Sequence, residues 1–315
     1  MENKQIFNKI LVPMDGSGPS IAARELATLM AKKFNSEITV IYVVTHELMG
    51  SAGQKFGKPE DRHEHPHMGY GGVVMPPTVH SPETPGTFYY EEVASEITSI
   101  YREEGEDVLG DAIRAFKEEG ISADQKIVVD ADPANTILKV AEEGRYDTII
   151  MGASGEEEKD PHLGSVAKKV AHRAKIPVLV SRGKTQISKI LVPVNGSDYS
   201  HKAVNYAALL ARTAKVPMTL LHVQETGIFR LRPEVSKEIG RRVLSDSKAK
   251  IEGVEVDQKM ESGDPAKTIL KTADKGDYDL IIIGSRGHST AEMFMLGSVT
   301  DHVVQYADRS VLIIK

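Results

Sequence analysis

Two kinds of short glycine turn recur in this sequence, and both contain residue types that bind phosphate. One kind reads Gly152-Ala153-Ser154-Gly155 and Gly284-Ser285-Arg286-Gly287, and it follows an apolar run. The other reads Gly164-Ser165-Val166 and Gly297-Ser298-Val299, and it opens a segment with helical periodicity. Glycine lets the backbone approach an anion, a helix start offers unpaired N–H groups, and serine adds a hydroxyl donor. The pattern indicates phosphate binding, although glycine and serine also form tight strand-to-helix turns with a serine N-cap.

These turns belong to a longer internal repeat. Ile10-Leu11-Val12-Pro13 with Asp15-Gly16-Ser17 returns as Ile190-Leu191-Val192-Pro193 with Asn195-Gly196-Ser197, an offset of 180 residues. Asp132-Pro133-Ala134 returns as Asp264-Pro265-Ala266, an offset of 132 residues. The first copy must therefore carry about 48 residues that the second lacks. We predict two domains, at 1–184 and 185–315, with a loop insert at about 46–91 of the first.

The elements that position the turns alternate between short runs rich in Val and Ile and segments of helical period. This alternation is typical of strand-helix-strand units with a parallel sheet buried on both faces. We therefore predict an α/β fold of two tandem three-layer α/β/α domains, each with an open five-stranded parallel sheet. The predicted strands are 9–14, 37–44, 125–129, 148–151 and 178–181 in the first copy and 189–194, 218–223, 254–260, 280–283 and 311–314 in the second.

Composition excludes several classes of protein. The 315 residues include 39 basic and 45 acidic side chains, a net charge of −6 that argues against a nucleic-acid-binding protein. The absence of cysteine excludes disulfides, cysteine nucleophiles and thiolate metal sites. No apolar run is long enough for a membrane span and the first residues do not resemble a signal peptide, so we expect a cytoplasmic location.

The insert contains the one candidate metal site. His63, His65 and His67 alternate, so in an extended chain their side chains would lie on one side. The same segment is rich in Gly and Pro and has no apolar period, which favours a solvated loop. We predict no metal site, with these three histidines as the remaining candidates.

Together these motifs resemble the universal stress protein family in its tandem form. The family pattern G-x2-G-x9-G-[S/T] matches at Gly284, Gly287, Gly297 and Ser298, with nine residues between the second and third glycine. The resemblance covers both copies and leaves out only the insert. It implies a sheet order of 3-2-1-4-5 in each copy, with the last strands pairing edge to edge about a two-fold axis. Here that axis would relate the two halves of one chain, an internal pseudo-dimer that could pair again as a homodimer.

The resemblance also implies adenine-nucleotide binding, with adenosine near the end of strand one and against the backbone after strand two. In the second copy the implied residues are Pro193, Asn195, Val223, Gly284, Arg286, Gly287, Gly297, Ser298 and Val299. In the first copy they are Pro13, Asp15, Val43, Gly152, Gly155, Gly164 and Ser165. We expect the first site to be weaker, because only eight residues separate Gly155 from Gly164 and that loop carries Glu156, Glu157, Glu158 and Asp160.

The function indicated is binding, since a base, a metal-holding carboxylate and a positioned nucleophile are not found together near the turns. We expect a stress-response protein that binds ATP or AMP, with or without Mg²⁺, and acts through an unknown protein partner. A scaffold that does not need nucleotide is the main alternative. A slow metal-dependent ATPase that uses the insert histidines is a weaker one.

Overall fold

The computed structural model describes residues 7–45, 87–130, 132–154, 163–225, 232–287 and 296–315. The first half contains β1 (Lys9–Pro13), α1 (Gly18–Phe34), β2 (Glu37–Thr45), α2 (Thr87–Glu118), β3 (Ala123–Asp130), α3 (Pro133–Glu143), β4 (Thr148–Gly152), α4 (Ser165–Arg173) and β5 (Val178–Ser181). The second half contains β6 (Ile190–Pro193), α5 (Asp198–Ala214), β7 (Met218–Glu225), α6 (Pro233–Lys248), β8 (Val256–Gly263), α7 (Pro265–Lys275), β9 (Leu280–Gly284), α8 (Ser298–Tyr306) and β10 (Ser310–Ile314).

All ten of these strands form one sheet, in the order β3-β2-β1-β4-β5-β10-β9-β6-β7-β8. Within each half the strands are parallel, and the predicted order 3-2-1-4-5 is confirmed in both. Central strands such as β9 and β10 are buried along their whole length, because helices cover the sheet on both faces. The apolar residues divide into two core clusters, consistent with the three predicted layers.

The two halves meet along β5 and β10, which pair antiparallel. Leu179 lies opposite Leu312, with Val180 opposite Val311 and Val178 opposite Ile313. All of these side chains are buried. The predicted edge-to-edge pairing about an internal pseudo-two-fold axis is therefore present within one chain.

The repeated turn motifs start helices. Ser17 and Ser197 are the N-caps of α1 and α5. Their hydroxyl oxygens accept a hydrogen bond from the backbone amide three residues later (3.3 and 3.2 Å). Asp132 and Asp264 cap α3 and α7 in the same way (3.1 and 2.9 Å), and a proline follows each of them. Aspartate at the N-cap and proline at the first helical position are both preferred there, which explains the repeated Asp-Pro-Ala.

The helix α2 begins at Thr87, inside the segment predicted as insert, and runs to Glu118. Its buried Leu109 and Phe116 belong to one of the two core clusters, which contains residues of both halves. Residues 46–86, with His63, His65 and His67, lie outside the described residues. The predicted boundary between 184 and 185 falls between β5 and β6, and it stays a prediction. Among the helices that the structure describes, none has the length and apolar character needed to cross a membrane.

Candidate functional site

A cavity of about 610 Å³ opens at the carboxyl ends of β6, β7 and β9, in the second half. Ligands of open parallel sheets bind at this edge, where the strand order reverses. The walls come from α6, which contributes Ser236 and Ile239, and from the starts of α7 and α8. The structure brings together here all the residues predicted for the second copy: Pro193, Asn195, Val223, Gly284, Arg286, Gly287, Gly297, Ser298 and Val299.

Asn195 lines this cavity from a tight turn after β6. Its side-chain oxygen accepts from the amide (3.1 Å) and the hydroxyl (2.7 Å) of Ser197. Gly196 between them has φ of +81°, a conformation that favours glycine. Asp15 makes the same two hydrogen bonds to Ser17 in the first half, at 3.0 and 2.6 Å. The change from Asp15 to Asn195 therefore keeps the turn and removes a negative charge.

The glycine at the end of β9, and the equivalent glycine at the end of β4, are required by packing as well as by any ligand. A Cβ on Gly284 would lie 2.7 Å from the carbonyl carbon and oxygen of Tyr199, and one on Gly152 would lie equally close to the backbone of Pro19. Such distances are far below a van der Waals contact, so the end of β9 packs directly on the first turn of α5. Phosphate binding and a tight turn were both predicted for this glycine, but its contact with α5 was not.

One end of the cavity has three features that favour an anion. Gly297 caps α8 without a side-chain hydrogen bond to the helix, so the amides of the first turn face this end. Ser298 adds an exposed hydroxyl. The Arg286 guanidinium lies 5.8 Å above the ring of Tyr199, which helps to hold it in place. A helix start, a hydroxyl and a guanidinium together form a suitable environment for phosphate.

Hydrogen bonds fix the two glycine turns to each other. The Gly297 amide donates to the Ser285 carbonyl (2.8 Å), and the Thr300 hydroxyl donates to the Gly284 carbonyl (2.7 Å). The corresponding Gly164 amide donates to Ala153 (2.7 Å) in the first half. These hydrogen bonds hold the start of α8 against the end of β9.

Several lining residues were missed by the sequence analysis, above all His222 of β7. The His222 Nδ1 donates to the Val194 carbonyl (2.9 Å), which leaves Nε2 as an acceptor in the neutral ring. Gly240 in the middle of α6 makes room for this ring, since a Cβ there would lie 2.6 Å from it. A glycine inside a helical pattern was the one available signal. The other missed residues include Gln224, Glu225, Ser236 and Ile239.

The first-half set is described only in part. Pro13, Asp15, Val43, Gly152, Gly164 and Ser165 are at the corresponding ends of β1, β2 and β4 and at the start of α4. Gly155 and the acidic residues Glu156, Glu157, Glu158 and Asp160 lie outside the described residues. Ser154 stands where the second half has Arg286. The first half therefore has no guanidinium at this position.

No group of three or more His, Asp or Glu side chains is arranged to hold a metal ion within the ranges given above. The candidate histidines of the insert fall outside those ranges. The expectation that the protein has no metal site is therefore untested for His63, His65 and His67.

Comparison with known proteins places the whole chain in one family. The model of the universal stress protein family matches residues 7–66, 70–182 and 186–315. Universal stress protein YxiE of Bacillus subtilis is 35% identical in an alignment of 147 residues that covers 41% of this chain and 99% of that protein. Universal stress protein MJ0531 of Methanocaldococcus jannaschii is 30% identical in an alignment of 148 residues that covers 44% of this chain and 87% of that protein.

A solved structure shows the same double architecture. The crystal structure of a universal stress protein from Archaeoglobus fulgidus covers 98% of this chain and 98% of its own, with a TM-score of 0.66 and 22% identity. At that identity the likeness concerns the fold alone. With a family model that matches both halves, the chain belongs to the universal stress protein family, with the family domain in tandem.

Proposed function

We propose that the second half binds an adenine nucleotide, ATP or AMP, and that a protein partner responds to the bound state. The observation that carries the proposal is the cavity at the ends of β6, β7 and β9, which combines an apolar wall with an end lined by Arg286 and the start of α8. Its volume of about 610 Å³ lies within the roughly 300–1,000 Å³ usual for small-molecule sites.

The residues divide the proposed site into three parts. We place the base against the backbone of β7 near Val223, where His222 and Ile239 form neighbouring walls. We place the ribose beside Asn195, and the phosphates between Arg286 and the start of α8. Mg²⁺, where it accompanies ATP, would be held chiefly by the phosphates, because Glu225 is the only carboxylate among the described lining residues.

The first half is proposed to bind nucleotide more weakly. Serine at 154 replaces the guanidinium of Arg286, and a negative charge at Asp15 replaces the neutral amide of Asn195. Both changes make the environment of a polyphosphate less favourable.

A partner could detect occupancy at α6. Val235 and Ile239 lie one turn apart on this helix and are 44% and 43% exposed, and Ile239 also lines the cavity. A base that packs on Ile239 would change the apolar surface presented beside it. This arrangement supports a sensor, because it connects the cavity to an exposed apolar surface.

Calorimetric titration with ATP and AMP tests the proposal. The matched variant is Ser285→Ala with Arg286→Ser. It gives residues 284–287 the sequence that the first half has at 152–155, so the substitutions are compatible with the fold. We expect one tight site per chain, in the second half, and the variant should weaken it at least tenfold. Absence of binding, together with no adenylate in mass spectra of natively purified protein, would contradict the proposal, and so would equal affinity in the variant.

A further inference from the structure

A second cavity, of about 190 Å³, lies in the first half between α3 and α4. Its residues come from the carboxyl-terminal parts of α3 and α4, the start of β4 and the segments that lead into β4 and β5. It therefore opens at the amino ends of the strands, opposite to the edge used by the proposed nucleotide site. The apolar lining residues are Leu138, Ala141, Tyr146, Ile149, Ala174 and Ile176, and the charged ones are Glu142, Arg145, Arg173 and Lys175. We refer to this cavity as the α3–α4 crevice.

The internal repeat shows what fills the equivalent space in the second half. Arg309 stands there in place of Ile176, and its guanidinium donates to the carbonyls of Ala273 (2.6 Å) and Tyr278 (2.8 Å). It also pairs with Asp308 at 2.7 Å, and the Arg309 side chain is only 12% exposed. Because Ile176 is shorter and uncharged, the first half keeps the space that Arg309 fills.

The charge around the two equivalent spaces is reversed. Arg309 has acidic neighbours, since its guanidinium lies 3.4 Å from Asp274 and 2.7 Å from Asp308, and Asp277 precedes the Tyr278 carbonyl that it binds. The α3–α4 crevice has Arg145 and Lys175 in place of Asp277 and Asp308, and Arg173 in place of Tyr306. Glu142, in place of Asp274, is its one acidic residue. An acidic rim binds a cation, so a basic rim should bind an anion.

The basic side chains of the rim are accessible to a ligand. Lys175 pairs with Glu142 at 2.7 Å, but both side chains are about two-thirds exposed (64% and 67%), so the pair opens at little cost. Arg173 donates to the side chain of Asn135 (3.1 Å). Arg145 is exposed and has no ion pair with any residue that the structure describes.

We propose that the α3–α4 crevice binds a small carboxylate with an apolar body. The floor of Tyr146, Ile149 and Ile176 takes the apolar part, and the carboxylate meets the guanidinium of Arg145 at the rim, beside the ammonium group of Lys175. A cavity of about 150 Å³ holds a benzene ring, so 190 Å³ is enough for a ring or a branched chain with its carboxyl group at the mouth. This site is independent of the proposed nucleotide site.

The experiment uses the full chain and three probes that share a ring and differ in charge: benzoate, benzyl alcohol and benzylamine. We expect benzoate to bind saturably, more tightly than benzyl alcohol, and benzylamine to bind least. Amide chemical shifts recorded during the titration should move in α3, α4 and Tyr146. In the second half, backbone carbonyls accept hydrogen bonds from the Arg309 guanidinium, and the first half has the equivalent carbonyls. Because these carbonyls favour a cation, benzylamine is the critical comparison.

The variant is Arg145→Asp with Lys175→Asp, which gives the rim the charges that the second half has at these positions. Asp277 and Arg145 share a left-handed backbone (φ 49° and 53°), so aspartate is compatible with the turn. Lys126→Asp, an exposed charge reversal on β3, is the control. We expect benzoate affinity to fall at least tenfold in the double variant and to stay unchanged in the control, with the melting temperatures as a check on folding. Unsaturable benzoate binding in the wild type, tighter binding of benzylamine, or equal affinity in the folded double variant would each overturn the proposal.

Discussion

Replacing Arg286 by glutamine should separate phosphate binding from adenosine binding. The guanidinium lies over Tyr199 at the end of the cavity where α8 begins, so it is already ordered before a ligand arrives. A hydrogen bond to a charged group contributes about 1.5–3 kcal/mol, and each 1.4 kcal/mol changes affinity tenfold. The affinity for ATP should therefore fall by about 10- to 100-fold. Adenosine, which has no phosphate, should bind equally well to both proteins.

The assay is calorimetry at a fixed ionic strength of about 0.15 M, since screening changes the contribution of exposed charges. Arg242→Gln is the matched control, because Arg242 is exposed on α6 and pairs with Glu238 away from the cavity. The control should bind ATP as the wild type does. If Arg286→Gln weakens adenosine as much as ATP, or leaves ATP unchanged in a folded protein, Arg286 does not contact the phosphates.

Three further predictions concern stability. Arg182→Ala should lower the free energy of unfolding by about 2–4 kcal/mol in urea denaturation, since the Arg182 guanidinium donates to carbonyls at the end of α8 (2.5 and 2.9 Å) across the seam between the halves. Burial acts to raise the pKa of Asp279, but hydrogen bonds from Ser188 and its neighbour outweigh it and hold that pKa below its ordinary value. Stability should therefore fall as the pH drops below about 4, and less so in Asp279→Asn, as measured by urea denaturation between pH 2.5 and 6. Burial, with the nearby charge of Arg286, lowers the pKa of Lys315 to about 8, so the free energy of unfolding should rise between pH 8 and 10, and Lys315→Met should remove that rise.

The sequence was enough to predict the architecture, because the repeat and the apolar runs are local signals. The offset between Ile10 and Ile190 identified two copies, and buried parallel strands have few possible connections. Strand ends were less accurate: β7 continues to Glu225, two residues beyond the prediction. Polar residues at the end of a buried strand do not follow the apolar pattern that defines its middle.

The cavity was only partly predictable from the sequence. Its glycine turns and Asn195 have recognisable motifs, and the structure brings them together. His222 and Ile239 lie on different elements, and only the packing of α6 on β7 makes them neighbours. The close contact of Gly284 with Tyr199 was also not predictable, because it depends on how α5 crosses the sheet.

The antiparallel pairing of β5 with β10 has a consequence for how this protein can change over time. In a dimer of identical chains, every mutation alters both members of the pair at once. Here the partners are encoded separately, so one can lose a feature while the other retains it. The two halves differ in this way at two pairs of equivalent positions, Ser154 with Arg286 and Ile176 with Arg309. Because both copies lie in one chain, each half is free to acquire a binding site that the other lacks.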